Sequence, residues 1–246
     1  KLQKTVYSYG AGDDAYGVGS ILELLSQALK YRDEWHQGVR ILFTDSEENA
    51  LDGMKCAAKY NPELFENVGY VVNLESRGMN GPVLLFETSA NNENVLDLYS
   101  EAKAPYGYSL TTVVYRFLPN NTDFTIVKDS IPGINFSTID NINYYHVDDD
   151  NFENINLATI QHYGAQIEPI LEEFLTSGEY RDPDALKGDE DLVFFTVPIL
   201  GIFSFTKPQF TLFCSVVFAL FCLALVLNIS ARNATVKGVL KKALVI

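Results

Sequence analysis

Four short apolar runs, "VRILF" (39–43), "YVVNLE" (70–75), "PVLLFET" (82–88) and "GINFST" (133–138), recur between segments of helical period. Branched and aromatic residues in runs this short predict buried strands. Between and around them, Val18–Leu29, Leu51–Tyr60, Asn94–Lys103 and Asn154–Leu175 repeat apolar residues at helical spacing, and Asp123–Lys128 reads as a short helix. "TTVVYRFL" (111–118) reads as extended. Strands alternating with helices over residues 5–176 predict an α/β fold, a mainly parallel mixed sheet flanked by helices. In such sheets ligands gather at the carboxyl ends of the strands.

The composition changes after that. Residues 178–191 are polar and acidic and read as a linker, so that 1–177 forms one domain and 192–246 a separate region. Phe210–Leu227 carries no charge over 18 positions and reads as a transmembrane helix, near 210–228. Leu192–Thr206 is also apolar, but Pro198 and Gly201 interrupt it. At about 22 Å as a helix it is short of a ~30 Å bilayer core, and it is expected to be interfacial or re-entrant. All 32 acidic residues and 13 of the 18 Lys and Arg precede Leu192, a balance of −19 there against +5 beyond. So acidic a domain excludes nucleic acid as a partner, because phosphate contacts need clustered cations. Arg232, Lys237, Lys241 and Lys242 follow the apolar run and Asp189–Asp191 precede it, which by the positive-inside rule puts the acidic domain on the lumenal side. Sequons at Asn120 and Asn135 would suit that side. Cys56, Cys214 and Cys222 have no metal-type spacing and read as free thiols. A start at Lys1 without Met reads as a piece of a longer protein.

Acidic residues stand where strands or turns hand over to helices. "GAGDDAYGVG" holds Asp13 and Asp14 in a Gly-rich turn, "FTDSEE" holds Glu47 and Glu48, "VNLES" holds Glu75, and "NYYHVDDD" sets His146 after a strand. Each alone has a plain explanation: a helix cap, first-turn acids, a solvated strand end, a structural histidine. Together on one sheet edge they would repel one another unless a cation compensated. Carboxylates with an imidazole suit zinc or another divalent metal, and a carboxylate that binds no metal can serve as general base. His36 and His162 read as structural.

The ordered set "GAGDDAYG", "LFTDSEENALDG", "NLESRG" and "YYHVDDD" resembles the co-catalytic zinc aminopeptidase family, which includes aminopeptidase Y and glutamate carboxypeptidase. With a membrane segment after the domain, the chain looks most like the fungal vacuolar membrane proteases, relatives of the endoplasmic-reticulum metallopeptidase. The resemblance implies the zinc exopeptidase fold, two zinc ions and a peptide substrate. It implies Asp13 as the bridging ligand, Glu48 and His146 on one metal, Glu75 on the other, and Glu47 as general base. Tyr145 would stabilise the oxyanion, with Asp14 and Asp123 orienting ligands, and Arg77 would meet a substrate carboxylate. It also implies a multi-pass protein of the vacuolar membrane, or alternatively the endoplasmic-reticulum membrane, in contact with the lipid bilayer. The family's H-x-D motif, whose His is a fifth ligand, is missing from "KLQKTVYSY" and is expected upstream of Lys1, so this stretch alone is expected to be inactive. Two other functions fit the pattern: a peptidase-like binding ectodomain without catalysis, and a glutaminyl-cyclase-like acyltransferase with one zinc.

Overall fold

A computed structural model describes residues 7–231. Its contacts divide the chain into two compact units, Lys1–Ser204 and Phe205–Ile246. The first holds α1 (Ala15–Ala28), α2 (Asp52–Tyr60), β1 (Val71–Ser76), β2 (Leu84–Thr88), α3 (Glu93–Tyr99), α4 (Ser109–Tyr115), β3 (Gly133–Thr138) and α5 (Leu157–Thr176). A hairpin of β4 (Val193–Val197) and β5 (Gly201–Phe205) follows, then the long helix α6 (Lys207–Ala231).

The central sheet has the order β1–β3–β2. β1 pairs with β3 in parallel and β2 with β3 antiparallel, so the sheet is mixed. Every residue of β2 and β3 is buried, the polar Glu87, Asn135 and Ser137 included, so neither strand shows an apolar–polar alternation of faces. α1 and α5 pack on each other, and Leu24, Leu74, Phe136, Tyr163 and Ile170 belong to the main core. A smaller core joins Met54 of α2 to Phe124, Val127 and Ile131. Local chemistry sets the helix starts. Asp14 caps α1 by accepting from Gly17 N at 3.2 Å, and Asn156 caps α5 by accepting from Ala158 N at 2.9 Å.

Three expectations give way. "VRILF" forms no strand among the described residues, and Val39 (37%), Leu42 (38%) and Phe43 (50%) are exposed. Branched residues supply propensity, but a strand also needs a neighbour to take its N–H and C=O groups, and here none does. "TTVVYRFL" is not extended: its first five residues lie in α4, and its remainder in a turn. Tertiary contact outweighs β propensity there, because Thr111 and Thr112 both donate through Oγ1 to Phe86 O on β2, at 3.4 and 2.8 Å. Leu192–Thr206, measured above as a helix, is not one; Pro198 and Gly201 instead bound the turn of the β4–β5 hairpin.

Asn135 is fully buried in β3 and donates to Glu87 Oε2 at 3.2 Å and Thr122 Oγ1 at 2.9 Å. The folded chain therefore has no room for a glycan on Asn135. α6 contains one stretch, Lys207–Asn228, long and apolar enough to cross a membrane, 22 residues with mean hydropathy 2.8 and none of it buried. The flanking cations Arg232, Lys237, Lys241 and Lys242 lie outside the described residues.

Phe136 has no solvent exposure, and its ring lies 6.0 Å from that of Tyr99. Phe136→Ala is expected to cost about 3–5 kcal/mol of stability. The denaturant midpoint of the protein in detergent, at unchanged slope, checks this; a loss under ~1 kcal/mol would remove Phe136 from the centre of the core.

Candidate metal centre

The parallel pair β1 and β3 brings its carboxyl ends to one edge of the sheet, with Glu75 near the end of β1 and His146 in the loop after β3, while Asp13 and the Glu47–Glu48 pair come from turns that precede α1 and α2. Asp13 lies in the turn before α1. That turn is held by Asp150, which is almost fully buried and accepts from Gly12 N at 2.5 Å and from Asp13 N and Ser8 Oγ at 3.3 Å. Asp14 turns the other way, as the helix cap. Glu47 and Glu48 lie in a tight turn whose flanks Ser46, Ala50 and Leu51 all have positive φ, near 60°. The turn rests on α2 so closely that a Cβ on Gly53 would fall 2.0 Å from Asp45 O, which explains the glycine that ends "EENALDG". His146, in the loop after β3, also has positive φ (58°). Non-glycine residues rarely take this conformation, and such strain gathers at functional sites.

Asp13, Glu48 and His146 meet. His146 Nε2 lies 3.0 Å from Asp13 Oδ2 and 2.6 Å from Glu48 Oε1. One atom from each of the three falls within 4.8 Å of the others. A neutral imidazole has at most one proton at Nε2, too few for two carboxylates. A divalent ion satisfies all three, since atoms around a tetrahedral zinc sit roughly 3–4 Å apart. The residues therefore fit zinc. Glu75 stands outside this trio, near the end of β1, where Asn73 Nδ2 donates to it at 3.0 Å. It lines the same cavity of about 520 Å³ as Asp13, Glu47 and Glu48. Asp123 accepts from Thr44 Oγ1, while its Oδ1 is buried without a partner, a second donor for a cation in this neighbourhood. Tyr145 stacks on the His146 ring at 3.6 Å, and the Arg77 guanidinium sits 5.5 Å over the Tyr145 ring.

The electrostatics follow from burial of like charges. Burial, then Glu48, pushes Asp13 up to about 8. Burial, then Glu48 and Asp123, pushes Glu47 up to about 7 against the opposing pull of His146. Burial raises Glu75 to about 8, although its bond from Asn73 works the other way. Burial, with Glu75 and Asp13 adding to it, raises Asp14 too. Tyr145 is raised, first by burial and then by Asp13 and Glu48, so its hydroxyl stays protonated at neutral pH.

The structure thus unites Asp13, Glu48 and His146, with Glu47, Glu75 and Tyr145 lining the adjoining cavity. Sequence reasoning missed Asp150, although "VDDD" was in plain view; nothing in a run of three acids says which one turns inward. His162 accepts from Val83 N at 2.9 Å and is structural, and His36 faces Arg181.

A mixed α/β sheet with acids and one histidine gathered beside a cleft outlines the candidate metal site of an enzyme. Comparison with known proteins gives the family: the chain belongs to Peptidase family M28, whose sequence model matches residues 3–171. It is 31% identical over 207 residues to human "Endoplasmic reticulum metallopeptidase 1", covering 82% of this chain and 22% of that protein. It is 28% identical over 228 residues to "Vacuolar membrane protease" of Paracoccidioides lutzii, covering 91% of this chain and 22% of the other. The chain thus spans about a fifth of these relatives' length. Its fold is similar to that of an aminopeptidase from Aneurinibacillus sp. strain AM-1, with a TM-score of 0.51, 18% identity, and 73% of this chain against 47% of that one.

The raised carboxyls link stability to pH. In the metal-free folded chain Asp13, Glu47 and Glu75 hold protons up to about 8, 7 and 8, whereas unfolded they release them near 3.8, 4.5 and 4.5. Between those limits the folded state binds more protons, so stability falls as pH rises. In chelator, Tm is expected to decline from about pH 5 to pH 8, and saturating zinc is expected to flatten the decline. A metal-free Tm that rises over this interval would exclude the crowding of acids described above.

Proposed function

We propose that the chain is the catalytic part of a membrane-anchored zinc metallopeptidase that removes terminal residues from peptides on the lumenal side of a vacuolar or endoplasmic-reticulum membrane. The meeting of Asp13, Glu48 and His146 beside a cavity carries this reading. Membership of Peptidase family M28 and relatives named as membrane metallopeptidases support it. The same reading takes residues 1–177 as the peptidase domain, 178–191 as a linker and 192–246 as the membrane region, with α6 spanning the bilayer.

Asp13, Glu48 and His146 would hold one zinc, and Asp13 with Glu75 the second. Bound there, zinc would supply Lewis acidity that makes water a nucleophile near neutral pH. Glu47, raised to about 7 with a carboxyl facing the cavity, is matched to take a proton and pass it to the departing amine. Tyr145 keeps its proton and can donate a hydrogen bond to the oxyanion that develops on the scissile carbonyl. The cavity also has an apolar wall of Leu84, Phe86, Val114, Leu118 and Ile139, suited to an apolar peptide side chain. Arg77 stands by for a substrate carboxylate.

Glu47→Gln in the full-length protein is expected to reduce kcat at least ~10³-fold and leave zinc bound. Glu48→Gln is expected to weaken zinc binding itself. Metal analysis after dialysis, alongside peptide hydrolysis, separates the two, and identical behaviour of both variants would end this division of roles. The chain Lys1–Ile246 by itself, which lacks the expected upstream histidine, should hold one zinc tightly and turn over peptide poorly. Two zincs that survive dialysis, together with full turnover, would count against that reading.

A further inference from the structure

The apolar stretch before α6 is folded in an unusual way. Residues 192–206 contain no charged side chain. They form a hairpin whose base is fastened to the peptidase unit. Phe194 is buried, and its N–H donates to Ser109 Oγ at 2.7 Å. Thr196 N donates to Gly107 O at 3.0 Å, and Gly107 N returns a bond to Thr196 Oγ1 at 3.0 Å. Phe195 and Phe203 stack across the two strands with ring centres 6.1 Å apart.

The tip is the opposite of this base. Leu200 N donates to Val197 O at 3.1 Å and closes a four-residue turn through Pro198 and Ile199. Ile199 has φ of +73°, in the third position of the turn, where glycine or asparagine is the unstrained choice. A branched residue there is an outlier. Yet Ile199 is 105% exposed and Leu200 70% exposed, so Ile199 gains no packing inside the protein and Leu200 little. A local rule is broken, and nothing within the fold compensates for it. The strained residue is explained if its side chain is buried against something outside the protein.

We propose that this tip, Pro198–Gly201 with Ile199 and Leu200 at its apex, seats in the interfacial layer of a lipid bilayer. The inference rests on the reading of α6 as a membrane span. Three observations favour lipid over a protein partner. The segment has no charge that a specific protein interface would pair. Only Thr206 separates β5 from α6, so a membrane that holds α6 is always near. Five residues of strand from Leu200 to Phe205 reach at most about 17 Å, which keeps the tip within reach of the headgroup region. An apolar loop tip that dips into this layer gains from burial without needing to span it.

Single tryptophans test this in the whole chain, reconstituted into phosphatidylcholine vesicles. In a Trp35→Phe background, Leu200→Trp probes the tip, Phe218→Trp the middle of α6, and Phe152→Trp an exposed site (84%) on the peptidase unit. The 200 probe is expected to be quenched by phosphatidylcholine brominated near the headgroup and protected from iodide at least several-fold relative to the 152 probe. The 218 probe is expected to be quenched by lipid brominated deep in the chain. A 200 probe as open to iodide as the 152 probe, with the 218 probe quenched by lipid, overturns the hairpin inference alone. A 200 probe shielded from iodide but untouched by bromolipid overturns it in favour of a protein partner or a second copy. A 218 probe that no bromolipid quenches overturns the spanning reading and the inference with it.

Discussion

Mutual repulsion among carboxylates at one sheet edge is the constraint on which the rest of the site depends. Asp13, Glu47, Glu48 and Glu75 come from three separate segments and line one cavity, and burial with neighbouring carboxylates pushes Asp13, Glu47 and Glu75 upward. Water alone would favour dispersing them. They are kept together by structure with other tasks: Asp150 pins the turn of Asp13, the Glu47–Glu48 turn is locked against α2 through Gly53, and Glu75 is built into β1 opposite Ser137. A cation in place of the protons would recover the stability given up in this way and would couple folding to metal binding.

The same crowding assigns different work to neighbouring residues. Asp13 and Asp14 are adjacent, but one faces the histidine and the other caps α1. The plain reading, a helix cap, therefore falls to Asp14, and Asp13 is left facing the histidine. Glu47 and Glu48 divide similarly. The left-handed backbone on either side of the pair turns Glu48 toward His146 and leaves Glu47 lining the cavity.

Much of this was legible from sequence because it was periodic or ordered. β2 and β3 are buried on both faces and β1 is a short run of branched residues, while α1 and α5 follow from apolar spacing and capping residues and α2 from spacing alone. The order of acidic motifs pointed to Asp13, Glu48 and His146 before any contact was visible. What failed were features that depend on a neighbour. "VRILF" has the composition of a strand, but no hydrogen-bonding partner beside it among the described residues. "TTVVYRFL" has β propensity but docks on β2 as a helix. Asp150 could not be told from Asp148 or Asp149, because only the fold turns it inward. Asn135 matches a sequon, yet β3 hides it.

The hairpin and the cavity share a wall. Gly107, Tyr108 and Ser109 hold β4 through backbone and hydroxyl hydrogen bonds. Two residues further on, α4 presents Thr111, Val114 and Tyr115 to the cavity. β4 is thus tied by buried Phe194 to the core and by Ser109 to the first residue of α4. If lipid seats the tip, the membrane fixes the orientation of the substrate cavity as well as its location. The apolar wall of the cavity is then the part of the site most directly referenced to the bilayer, and the acidic edge across the sheet is referenced to it only through β2 and β3.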